Sequence, residues 1–253
     1  MSPWHAIVIF AAGMFAGTIN TVAGSGTLVT FPVLLAFGYA PVVANVTNTV
    51  GLVPGSAAGA LGYRRELAGQ RSRVLALAAA SLTGGIIGAV LLLTLPASAF
   101  QTIVPVFIAI ALVQIVAQPR LSRMLAARRT PRRGPNGRAG PVTTLGVGIA
   151  GIYGGYFGAA QGILNLAVLT LGLDDELQRL NALKVVLTGL VNLVSGVVFV
   201  FAAHVAWAPA GLIAGGSLLG GIMGARIGRR LPPAALRGVV VIVGVFAIVH
   251  LLA

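Results

Sequence analysis

Long apolar runs separated by short polar stretches fill the chain at about 4–20, 27–38, 42–62, 74–94, 99–117, 142–158, 162–172, 180–202, 208–225 and 236–252. They are continuously apolar, without the two-residue alternation of barrel strands, so they predict α-helices. Crossing the hydrocarbon core of a bilayer takes about 20 helical residues, with a lower limit near 17. The runs at 27–38 and 162–172 fall short of that. Each follows a polar, glycine-bearing stretch, "TINTVAGSGT" at 18–27 and "GAAQGILN" at 158–165. Each stretch is either a loop outside the bilayer or a break in the backbone at membrane depth.

The pattern repeats. "SLTGGIIGAVLLLTLP" at 81–96 matches "SLLGGIMGARIGRRLP" at 217–232 at nine of sixteen positions without gaps, and "GSGTLVTFPVLLAFG" at 24–38 aligns more weakly with "GAAQGILNLAVLTLG" at 158–172. An internal duplication explains both matches. It divides the chain into a first repeat at 1–117, a basic connector at 118–141 expected to be flexible, and a second repeat at 142–253.

Charge then orients the repeats. Fifteen of the seventeen basic residues lie in three stretches, Arg64–Arg73, Arg120–Arg138 and Arg226–Arg237. In the first repeat the loop after the third run is basic and the loop at 95–98 is uncharged. In the second repeat this is exchanged: "AAHVAWAP" carries no Arg or Lys, and the equivalent of 95–98 is flanked by Arg226, Arg229, Arg230 and Arg237. If basic loops face the cytoplasm, equivalent loops lie on opposite sides and the repeats are inverted, with both termini outside. The first two runs of each repeat must then cross an even number of times, as two spans or as one re-entrant hairpin. The shortness of the second run favours the hairpin or a broken helix.

Composition agrees. The chain is 57% hydrophobic and 8% charged, which places it among integral membrane proteins of the all-α class. It has no cysteine, so disulfide scaffolds, iron–sulfur clusters and thiolate zinc sites are excluded. The net charge of +13 resides in loops, which argues for the positive-inside pattern and against a nucleic-acid partner. The N-terminal run has no cationic leader before it and reads as the first membrane segment, not a cleaved signal peptide. His5, His204 and His250 fall at the ends of runs, as interfacial residues do. No H-E-x-x-H motif, paired membrane aspartate or Ser–His arrangement is present, so neither an enzyme nor a bound cofactor or metal is expected.

Interrupted segments at corresponding places in inverted repeats point to the binding site of a secondary transporter. A helix that starts at depth presents unpaired N–H groups and a partial positive charge, which attract an anion. The first break offers Thr18, Asn20, Thr21, Gly24, Ser25, Gly26 and Thr27, and the second offers Gly158, Gln161, Gly162 and Asn165. A further polar face follows each break: Asn45, Thr47, Asn48 and Thr49 in one repeat, Asn181, Lys184, Thr188 and Asn192 in the other. Polar side chains in membrane helices turn toward the protein interior or a wet cavity. They serve either a site there or simple interhelical hydrogen bonding. Lys184, the sole lysine, either neutralises a bound anion or snorkels to the interface. Asp174, Asp175 and Glu176, beside Arg179 in a turn read as cytoplasmic, serve either as the N-terminal cap and solvated face of the next helix or in coupling. Small-xxx-small spacings at Gly13/Gly17, Gly55/Gly59, Gly84/Gly88, Gly154/Gly158/Gly162 and Gly220/Gly224/Gly228 read as close helix contacts.

The stretch "GMFAGTINTVAGSGTLVTFPVLLAFGYAPVVANVTNTV", the following "RRE", and the "SLTGGIIGAVLLLTLP" segment with its second copy resemble the TauE/SafE sulfite-exporter family over nearly the whole chain outside 118–141. The resemblance implies a multi-pass bacterial plasma-membrane protein that exports sulfite, sulfoacetate or a related organosulfonate. It places Gly24, Gly26, Thr27, Asn45 and Thr47, with Gly158, Gly162 and Asn181, in the family's motif regions. The expected function is therefore a secondary transporter of a small anion working by alternating access. The alternatives are a passive anion channel and a membrane scaffold without transport. The expected partners are the anionic substrate and the lipid bilayer, with a homodimer left open.

Overall fold

The computed structural model describes residues 1–127 and 139–227, together with Gly238, Val241, Ile242 and Val245, the side chains of 118–127 and of Ile227 excepted. Among the described residues every regular element is a helix: α1 (Pro3–Val22), α2 (Thr27–Ala36), α3 (Pro41–Gly62), α4 (Arg71–Thr94), α5 (Ala97–Ala127), α6 (Pro141–Tyr156), α7 (Gln161–Gly172), α8 (Leu177–Ala202) and α9 (Trp207–Ile227). Proline supplies the first residue of α1, α3 and α6, where its fixed φ suits the helix and its missing N–H costs no bond. Ser2 caps α1, its hydroxyl oxygen accepting from the His5 amide at 3.3 Å.

Among the described residues five helices are long and apolar enough to cross a membrane: α1, α4, α5 through Ala117, α8 and α9. The short helices α2 and α7 are about 15 and 18 Å long at 1.5 Å per residue, close to half of a hydrocarbon core about 30 Å thick. Their bounds agree with the short runs read from sequence. The connector is corrected in part. The helix α5 continues through 118–127, so its first portion is helical where a flexible stretch was expected. The rest of the connector at 128–138, the basic stretch 228–237 and most of the last apolar run at 236–252 lie outside the described residues.

Helices pair with the two repeats exchanged. The first helix of each repeat packs on the fourth of the other, α1 on α9 and α6 on α4. Glycine makes these seams close. A methyl group on Gly17 would sit 2.8 Å from the Ser217 Cα, and one on Gly151 would sit 3.3 Å from the Gly84 Cα. Backbones that approach this closely gain dispersion contacts that apolar side chains alone do not gain in lipid. The duplicated S-L-x-G-G-x-x-G segments occupy α4 and α9, on the faces that meet α6 and α1. The helix α5 closes one side through a cluster of rings, with Phe100 and Phe107 against Tyr153, Tyr156 and Phe157. The third helices, α3 and α8, pack on each other in the middle and carry the polar faces.

Candidate functional site

The first break is built by a left-handed residue. The amides of Ala23 and Gly24 both close on the Ile19 carbonyl, at 2.7 and 3.0 Å. Gly24 then turns the chain out of α1 at φ +85°, a conformation that favours glycine. Bonds from Leu28 to the Ser25 carbonyl at 3.2 Å and from Val29 to the Gly26 carbonyl at 3.0 Å start α2. The three intervening amides, of Ser25, Gly26 and Thr27, make no hydrogen bond within the described residues. Consecutive free N–H groups after a left-handed residue, at the positive end of a helix, form a concavity suited to an anion. All three residues are buried.

The second break repeats the geometry and spends its amides differently. Phe157 and Gly158 both close on the Tyr153 carbonyl, at 3.0 and 3.1 Å, and Gly158 has φ +75°. Ala160 is also left-handed, at φ +58°, which strains a residue with a Cβ by about 1–2 kcal/mol. The Tyr153 hydroxyl, donating to the Ala159 carbonyl, braces this turn. The Gln161 amide donates to the Gly158 carbonyl at 3.3 Å, and the Gly162 amide donates to the Gly24 carbonyl at 3.1 Å. The two breaks therefore touch, and the amides left over at the second are those of Ala159 and Ala160.

Side chains from the third helices tie the breaks across the repeats. Asn45 on α3 donates from Nδ2 to the Tyr156 carbonyl at the end of α6, at 2.9 Å. Lys184 on α8 donates from Nζ to the carbonyls of Asn20 and Thr21 at the end of α1, at 3.4 and 3.3 Å. The lysine is 0% exposed, so it does not snorkel. Its stem lies against Gly162, where an added methyl would meet Cδ at 3.0 Å. A cation at the carbonyl end of a helix offsets the partial negative charge there. Lys184 thus stands beside the first break while facing the end of α1.

Within each repeat the short helix is fastened to the third. Asn48 donates to the Thr27 hydroxyl at 3.2 Å and accepts from Thr30; Asn165 donates to the Thr188 hydroxyl at 3.4 Å. Asn20 and Asn192 both donate to Ser56 Oγ, at 3.4 and 3.3 Å, joining α1, α3 and α8. Buried polar atoms usually find partners, yet Asn45 Oδ1, Asn165 Oδ1 and both amide atoms of Gln161 have none. Other expected residues point elsewhere. Thr47 accepts from the Ala206 amide ahead of α9, Thr18 donates to the Gly220 carbonyl in the α1–α9 seam, and Thr21 and Thr49 bond back into their own helices. Asn181 is buried, and no hydrogen bond links it to either break.

Thr30, Ser56 and Tyr153 were missed by the sequence reading. A signal existed for the first two: Thr30 lies one turn beyond Thr27, and Ser56 continues the Asn45, Asn48/Thr49, Leu52 face of α3. Tyr153 had no such signal.

The acidic turn before α8 is a solvated cap only in part: Glu176, the N-cap of α8, is exposed, whereas the Asp175 side chain is buried. Asp175 pairs with Arg73 of α4 and, at 3.0 Å, with Arg179, and the Arg73 and Asp175 side chains are only 4% and 5% exposed. Its other oxygen role is local, Oδ1 accepting from the Glu176 amide at 2.8 Å. Burial pushes the carboxyl up, but the bonds from Arg73, the Glu176 amide and Arg179 outweigh it and hold Asp175 below the usual carboxylate range.

Among the described residues no group of three or more His, Asp or Glu converges as a metal site would require. A groove of about 400 Å³ opens between α3, α8 and α9, walled by Val53, Pro54, Val197, Phe201, Trp207 and Ala210. None of the expected site residues lines it, and most residues at the breaks are buried, with Asn20, Ala23 and Gly158 half-buried.

A family model for the sulfite exporter TauE/SafE matches residues 9–251. The chain is 29% identical over 233 residues to the probable membrane transporter protein YfcA of Escherichia coli strain K12, covering 91% of this chain and 82% of that protein. It is 27% identical over 241 residues to a probable membrane transporter protein of Haemophilus influenzae, with 93% and 89% covered. A probable membrane transporter protein of Sinorhizobium, ORF9, is 30% identical over 253 residues, with 97% and 91% covered. No solved structure matches the chain.

Proposed function

The chain belongs to the sulfite exporter TauE/SafE family, and from that premise we propose that it is a secondary transporter carrying a small anion out across the bacterial plasma membrane. The substrate is sulfite, sulfoacetate or a related organosulfonate. The carrying observation is the junction of the two breaks. Three free, buried amides at Ser25, Gly26 and Thr27 lie in the same break as the α1 carbonyls that hold the sole, fully buried lysine. An oxyanion seated on those amides takes Lys184 as its counter-charge, and the unpaired Gln161 side chain supplies a further donor, Nε2, at the second break.

On this reading transport proceeds by alternating access, as a two-state exchange. The two repeats are read as inverted, each contributing one break, one short helix and one third helix that reaches the other repeat's break. Rocking one repeat against the other exposes the junction first to one side and then to the other, over the glycine seams of α1–α9 and α4–α6. The largely buried junction fits an occluded intermediate of such a cycle.

The test is counterflow of radiolabelled sulfite into proteoliposomes. The expected result is saturable uptake, accelerated by unlabelled sulfite or sulfoacetate inside, and lost when Lys184→Ala and Asn45→Ala are combined. Uptake unaffected by that double variant would overturn the site, and unitary conductance without counterflow would indicate a channel.

A further inference from the structure

Away from the breaks, the two repeats are bound to each other by a compact set of polar bonds between residues 68–73 and 175–179. Asp175 pairs with Arg73 and Arg179. The Arg179 guanidinium also donates from both Nη atoms to the Ala68 carbonyl, at 3.2 Å each. Gln70, itself buried, donates to the Arg179 carbonyl at 3.1 Å. Every one of these bonds except the Asp175–Arg179 pair runs from the first repeat to the second. Directly alongside lies a small apolar cluster: Tyr63 with Ala60 and Leu67 from the first repeat, against Ala182 and Val185 of α8 from the second. Both layers sit at the start of α8, where Arg179 precedes Lys184 by between one and two turns and Ala182 and Val185 flank the lysine.

Such a set is more than is needed to hold two loops. Charged side chains that lose nearly all exposure carry a desolvation cost, and their pairing offsets it only while the geometry stays intact. A joint of this kind has two states, closed with all bonds made or open with the charges hydrated, and little between. We propose that Asp175, bridging Arg73 and Arg179 over the Tyr63–Ala182–Val185 cluster, is the gate on the basic-loop side of the carrier, broken each time the site opens to that side. The proposal rests on the transport reading for its place in the cycle; the opening of the joint itself is measurable without any substrate.

The native chain lacks cysteine, so introduced thiols report alone. Ala182→Cys, at a fully buried position of the cluster, is labelled in membrane vesicles by a water-soluble maleimide applied to the basic-loop face. Removing one charge with Asp175→Asn is expected to speed labelling about tenfold, the shift that loss of a charge-assisted bond implies. Labelling unchanged in a folded Asp175→Asn protein would overturn the gate.

A second variant covers the case in which Asp175→Asn fails to fold. Ala68→Cys, on the joint's exposed rim, with Arg179→Cys, half-buried beside it, is linked by a reducible bis-thiosulfonate. Linking is expected to stop sulfite counterflow and to keep an introduced thiol at Ala182 unlabelled, and reductant is expected to restore both. Linked protein that is labelled or that transports as fast as unlinked protein overturns the gate. Unlinked protein that labels but never moves sulfite counts against the transport reading alone.

Discussion

The amide of Gly162 donates to the carbonyl of Gly24 at 3.1 Å, so the two helix breaks, far apart in sequence, are in backbone contact. Neither residue leaves room for a side chain: a methyl on Gly24 would lie 2.5 Å from the Gly162 Cα, and one on Gly162 would lie 2.5 Å from the Gly24 Cα. The junction is a meeting of two bare backbones, and the free amides of 25–27 begin one residue away.

Gly24→Ala is therefore expected to do two things. The left-handed conformation costs a residue with a Cβ about 1–2 kcal/mol, and the methyl must in addition push the breaks apart. Gly38→Ala separates these effects, since Gly38 has φ +83° with nothing within 4 Å of an added methyl. Both variants should unfold at lower temperature in detergent, and Gly24→Ala alone should lose sulfite counterflow by more than about tenfold. Equal transport in the two would show that contact between the breaks has no part in function.

Asn45→Ala removes the donor that satisfies the Tyr156 carbonyl at the end of α6. Leaving a buried acceptor unpaired costs about 1–3 kcal/mol, so the second break should loosen. Faster hydrogen exchange of the 157–162 amides, with no comparable change at 23–28, is the expected readout. Exchange that rises equally in both would mean that Asn45 supports the bundle as a whole.

The helix pattern was legible because it is local. Apolar runs, N-terminal prolines and the Gly-bearing polar stretches each act over a few residues, and the described helices begin and end close to where these signals lie. The duplication also exposed the second break, which "GAAQG" alone hardly advertises. Pairings across the chain were not legible. Ser56 looks like an ordinary helix serine until packing brings Asn20 and Asn192 to it. Asp175 sits in a stretch whose charge predicts exposure, and Arg73 on α4, brought to it by packing, joins Arg179 in making its burial tolerable. The connector misled for a related reason: its prolines and arginines signal a linker, whereas α5 simply continues through 118–127.

The charge state of Asp175 has a defined pH signature. Its folded pKa lies below the ordinary value of 3.8, so its stabilising contribution is fully present above that value and is lost as pH falls through the folded pKa. The difference in unfolding temperature between wild type and Asp175→Asn should thus stay constant from pH 8 to about pH 5 and shrink only in stronger acid. A gap that closes between pH 8 and 6 would mean that the joint depends on some other group.

Lys184 offers the sharpest division between structural and functional roles. Its Nζ holds the Asn20 and Thr21 carbonyls, so Lys184→Met removes both a brace for α1 and the only lysine charge. If the brace is what matters, the variant should melt lower and transport in proportion to the folded fraction. As a counter-charge, Lys184 predicts something different: folded Lys184→Met protein should bind sulfite at least about tenfold more weakly, the scale of one lost charge-assisted bond. Lys184→Arg keeps the charge, but its rigid planar fork must fit where Gly162 already touches the lysine stem. It should recover part of the binding and little of the turnover. Sulfite titrations followed by unfolding temperature separate the outcomes, because a ligand that binds the folded state raises that temperature in proportion to its affinity. A sulfite-dependent rise as large in Lys184→Met as in the wild type would remove Lys184 from the site and leave the amides of Ser25, Gly26 and Thr27 as its anion-holding part.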